Sequence, residues 1–150
     1  MPSFFDTNIL LYAVDEGEPE KLGIASTLVE EHLVEGDGMI SVQVLREFYS
    51  ASRKLSRPLS DEQAQEMVRY ISTFRTLAED AGMVLGAIRR GREYMLSFWE
   101  ALIVEAALSA GANRLLSEDL QYGQEIHGLR VENPFLTLRK SSEKDRSWPS

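Results

Sequence analysis

Short apolar runs alternate along this chain with longer stretches of helical period, and that alternation restricts the fold more than any other feature. Ser3–Phe5, Met39-Ile40, Arg114–Leu116 and Leu129–Val131 are too short for helices, and turn or polar residues close them. Each reads as a buried strand. A weaker extended segment covers Phe74–Leu77, so four to five strands are expected. A short helix should run from about Asn8 to Val14, capped by Thr7 or Asn8. Between Glu20 and Val34, after Pro19, residues Leu22, Ala25, Leu28, Val29 and Leu33 recur at helical spacing. Ser41 is placed to cap a helix from Val42 to about Leu55, and Ser60 with Gln63 has the pattern of a capping box ahead of another. A further helix spans about Glu79 to Tyr94. The last, Phe98–Leu108, is apolar except for Glu100 and Glu105. A helix apolar nearly all round belongs at the centre of a molecule. Strands separated by helices need crossover connections, which points to an α/β fold with a parallel sheet.

The chain's 150 residues are enough for one domain with a real core. Absence of cysteine excludes a disulfide framework and a thiolate metal site, and only two histidines are present. No glycine-rich phosphate loop follows the first strand. Met1-Pro2-Ser3 does not open a basic segment with an apolar core, and no apolar stretch approaches the roughly 20 residues of a spanning helix, so a cytoplasmic protein is expected. From Arg139 to Ser150 the chain is polar and charged; a domain of residues 1–138 with a disordered tail, 139–150, is expected. The net charge of −8 disfavours broad electrostatic binding of nucleic acid. Local basic patches, Arg53-Lys54 with Arg57 and Arg89-Arg90 with Arg92, would have to supply it, and a basic partner segment would suit the acidic surface.

Asp6-Thr7-Asn8 directly follows the apolar pair Phe4-Phe5, which fixes a carboxylate at the end of a buried strand. Open parallel sheets bind ligands beyond the carboxyl ends of their strands. Asp119 lies just past the Arg114–Leu116 strand, and Glu47 on the helix leaving the Met39-Ile40 strand. Glu100 falls in the first turn of the apolar helix. Four acids directed to one sheet edge raise one another's pKa unless a cation intervenes. All-oxygen ligation suits magnesium or manganese, and the chemistry that follows is metal-assisted phosphodiester hydrolysis. Structural alternatives compete at each position. Asp6 is also a possible helix cap, Asp119 a turn residue and Glu47 a helix-border glutamate. Ser97-x-x-Glu100 is itself a capping box. Glu105, Asp61 and Asp80 read as structural, Glu118 as a solvated neighbour of Asp119, and His32 and His127 as surface or packing residues.

Phe5-Asp6-Thr7-Asn8, Ser41 through Glu47-Phe48-Tyr49, Leu96 through Ile103, Leu115 through Leu120, and Gly128–Val131 with Asn133-Pro134-Phe135 together resemble the PIN-domain ribonucleases, and among them the VapC-type toxins of bacterial type II toxin–antitoxin pairs. The resemblance runs from Phe4 to about Leu136. It implies an α/β/α sandwich around a parallel sheet and a magnesium-dependent endoribonuclease, with manganese as a substitute. Asp6, Glu47 and Asp119 would be metal-site acids, supported by Thr7, Asn8 and Ser117. It also implies an RNA substrate, a homodimer and a cognate antitoxin. Glu100 departs from the pattern, since the family usually has aspartate there. An extra methylene either still reaches the metal or leaves a weakened protein- or RNA-binding module.

Overall fold

The computed structural model describes residues 1–138; the tail expected at 139–150 lies outside them. Six strands form one sheet: β1 (Ser3–Phe5), β2 (Gly38–Ser41), β3 (Arg75–Leu77), β4 (Arg114–Leu116), β5 (Glu125–Ile126) and β6 (Leu129–Glu132). Their spatial order is β3-β2-β1-β4-β6-β5. All pairs are parallel except β5–β6. β1 sits inside the sheet, with Phe4 opposite Met39 on one side and Leu115 on the other. Both faces of the inner strands are covered, which is why Phe4, Phe5, Ile40 and Leu115 are inaccessible and why these strands read as continuous apolar runs.

The helices are α1 (Thr7–Tyr12), α2 (Pro19–Glu35), α3 (Val42–Ser52), α4 (Asp61–Ile71), α5 (Ala81–Tyr94) and α6 (Phe98–Ser109). Their starts follow the expected caps: Ser41 accepts from Val44 N, and Ser60 with Gln63 closes its box in both directions. α1 starts one residue early because Asp6 itself is the cap, α5 starts two residues late behind Asp80, and α2 has no side-chain cap. The apolar helix α6 packs on β2 and β4 and against α5. Its one inward-side charge, Glu105, is matched by the Arg90 guanidinium of α5. α1 packs on both α2 and α3, and α3 on α4.

Two local features show what a short sequence pattern misses. β5 is only two residues long and joins β6 through His127 (φ 49°) and Gly128 (φ 84°), the paired positive φ of a tight hairpin. That strand carries too few residues for an alternation to register. Near β2, the ring of Phe74 lies so close to Gly38 that an added Cβ would meet it at 2.4 Å. Phe74 in turn stacks on Phe5 at 5.2 Å, so this glycine lets an aromatic layer close over the sheet. His32 is a packing residue: it is buried, edge-on to Phe5, with Nε2 3.1 Å from Ser3 Oγ.

Candidate active site

β1 ends at Phe5, and the chain turns into α1 at Asp6. The Asp6 N–H donates to Leu116 O at 3.0 Å, which ties the ends of β1 and β4 together. Asp6 Oδ1 accepts from Thr7 N at 2.7 Å, and Oδ2 from Ser117 Oγ at 2.8 Å. Capping and site placement are therefore the same geometry: the carboxylate that starts α1 also faces the end of the neighbouring strand. Burial pushes its pKa up to about 6, against the lowering effect of the Ser117 and Thr7 hydrogen bonds; the charges of Asp119 and Glu47 raise it further.

Those two acids are each oriented by neighbouring side chains. Thr7 Oγ1 donates to Glu47 Oε2 at 2.7 Å, and Gln43, one turn earlier on α3, donates Nε2 to Glu47 Oε1 at 2.8 Å. Asn8 Nδ2 donates to Asp119 Oδ2 at 2.9 Å, while Asn8 Oδ1 accepts from Glu118 N. Ser117 Oγ accepts from the N–H groups of Asp119 and Leu120 as it donates to Asp6. The structure thus brings Glu47 and Asp119 beside Asp6, with Thr7 bonded to Asp6 and Glu47, Ser117 to Asp6 and Asp119, and Asn8 to Asp119.

Glu100 stands differently. Its Oε1 accepts from Ser97 N at 3.2 Å while its own N–H donates to Ser97 Oγ at 3.1 Å. The carboxylate is folded back on the helix start. Glu118 is not the solvated neighbour expected from sequence: Lys21 Nζ and Tyr12 OH both meet its carboxylate at 2.8 Å, and its side chain is 17% exposed. Lys21 also lies over the Tyr12 ring at 4.5 Å. Gln43 went unrecognised in the sequence, although its i, i+4 spacing to Glu47 was the available signal.

Among the described residues, no three acidic or histidine side chains converge into a ready cation cage. The donor chemistry nevertheless suits a hard divalent ion. Asp6, Glu47 and Asp119 offer only oxygen, each carboxylate oxygen has two lone pairs, and the hydrogen bonds above leave acceptor capacity on all three. The charges of Asp119 and Glu47 disfavour ionisation of Asp6, which a cation relieves.

A model of the PIN domain matches residues 3–124, a span that contains every residue of this site. The chain belongs to the PIN-domain family. This PIN chain has no match among the curated proteins. Its solved neighbours include a chain of a toxin–antitoxin complex from Klebsiella pneumoniae, 21% identical, covering 88% of this chain and 97% of that one, with a TM-score of 0.63. VapBC2 from Rickettsia felis, bound to a promoter DNA fragment, matches with the same identity and TM-score over 89% and 98%. Mycobacterium tuberculosis VapC20, a sarcin–ricin loop cleaving toxin, matches at 18% identity and a TM-score of 0.57 over 75% and 86%. At such identities the likeness is one of fold, and the α/β/α arrangement expected of a PIN domain is borne out. No helix of the described residues is long and apolar enough to cross a membrane.

Proposed function

We propose that this PIN domain is a metal-dependent endoribonuclease of the toxin type, held in check by a cognate antitoxin. The observation that carries the reading is Asp6, seated between the ends of β1 and β4 with Glu47 and Asp119 close enough to raise its pKa. The solved neighbours that are toxin–antitoxin complexes, and the one that cleaves RNA, support the toxin assignment by shared fold. Asp6, Glu47 and Asp119 would hold Mg2+, or Mn2+ in its place. The ion, when bound, lowers the pKa of water and stabilises charge at phosphorus. The protein's own groups set the geometry. Thr7 and Gln43 fix both oxygens of Glu47, Ser117 orients Asp6, and Asn8 orients Asp119. Hydrolysis would leave a 5′-phosphate and a 3′-hydroxyl. A homodimer in the cytoplasm, with residues 1–138 as the nuclease domain, completes the reading.

Purified protein with manganese should cut structured RNA, and Asp6→Asn should abolish the cutting. Equal cutting by the variant would assign the activity to a contaminant.

The box between Ser97 and Glu100 favours a second reading, a PIN-like binding module with weak catalysis. Calorimetric titration separates the two. Divalent binding at millimolar metal supports the nuclease; RNA affinity without metal binding supports the module. Under the second reading Glu100→Asp should restore cutting.

A further inference from the structure

Glu47 borders a surface that the acidic cluster does not use. Gln43, Arg46, Glu47 and Trp99 line one open cleft of about 570 Å³. Trp99, in the first turn of α6, is 63% exposed, and its ring is braced edge-on against Phe98 at 5.1 Å. Arg46 has a largely exposed side chain and only a loose 3.6 Å pairing with Glu79. Gln43 is buried. With its Nε2 committed to Glu47, its Oε1 has no hydrogen-bond partner.

An exposed aromatic face beside a guanidinium is a pairing that recognises an unpaired nucleotide: the face stacks the base and the cation meets its phosphate. We propose that this cleft is a nucleobase subsite. An unpaired base adjoining the phosphate at the acidic site stacks on Trp99, and its phosphate meets Arg46. The inference rests on RNA being the substrate and adds which part of it the protein reads.

Fluorescence anisotropy of labelled single-stranded RNA, measured on the full chain with chelator and again with calcium, tests it. Trp99→Ala should weaken binding of an adenine-rich strand by roughly 5- to 100-fold, the range for losing one stacked base. Trp99→Phe, which keeps a stacking face, should retain most of the affinity. Tyr70→Ala, at a half-exposed aromatic on α4, should leave it unchanged. Equal affinity of Trp99→Ala and wild type overturns the proposal. So does a Trp99→Ala effect confined to oligomeric mass, which would make this face a protein contact. Cleavage by the wild type with manganese is read separately. A chain that cuts RNA yet binds it without regard to Trp99 loses only the subsite; one that neither binds nor cuts loses the nuclease assignment as well.

Discussion

Asp6 answers to two demands at once. As the cap of α1 it must accept from Thr7 N, and as part of the acidic cluster it must sit beside Glu47 and Asp119. Its carboxyl titrates at about 6 in the folded protein against 3.8 for the ordinary group. A raised folded pKa means that the favourable contribution is complete below the unfolded value and is lost as pH rises through the folded one. In metal-free buffer, Asp6→Asn should therefore match the wild type in stability near pH 3.5. It should gain progressively between pH 4 and 6 and level off above, by at most about 3 kcal/mol. The amide keeps an acceptor for Thr7 N, while its Nδ2 competes with the Asp119 and Leu120 N–H groups for Ser117 Oγ. Thermal melts of both proteins across this range give the difference; a constant offset at all pH values would show that Asp6 ionises as freely as in the unfolded chain.

Element starts decide how the acids are presented. Ser41 and Ser60 were readable as caps because each precedes a run of helical period and needs only local partners. Glu100 was readable in two ways for the same reason: its spacing from Ser97 fits a capping box, while its place near the sheet edge fits the site. The structure satisfies the local demand, since both hydrogen bonds of the box are made. Ser97→Ala should lower stability by about 1 kcal/mol in urea unfolding, the usual worth of a lost cap. Glu100→Ala should follow it with a smaller loss. Loss of RNA cutting in Glu100→Ala with no change in the urea midpoint would place this carboxylate at the metal instead. The Lys21–Glu118–Tyr12 contact had no such local signal, because its partners come from α2, the loop after β4, and α1.

At the scale of the molecule, a chain of net charge −8, if RNA is its substrate as proposed, meets it with few unpaired cations among the described residues. Several of the arginines are already engaged: Arg53 with Asp61, Arg57 with Glu16, Arg90 with Glu105 and Arg114 with Glu132. The basic patches seen in the sequence are thus partly neutralised from within. Binding should accordingly depend weakly on salt, with a slope of log affinity on log salt no steeper than about −3, as for about four phosphates on a single strand. A markedly steeper slope in anisotropy titrations would reveal a basic surface that these ion pairs do not allow. The parallel sheet, most helix caps and the central position of α6 could be read along the chain because apolar periodicity and capping are local properties. The union of Asp6, Glu47 and Asp119 followed from them through strand polarity, which sends the carboxyl ends of parallel strands to one edge. Folding alone settled that Thr7, Asn8 and Ser117 hold those acids and that Glu118 is half-buried against Lys21 and Tyr12. Each of those outcomes is a competition for hydrogen bonds between residues as far as 111 positions apart, and no local pattern records its winner.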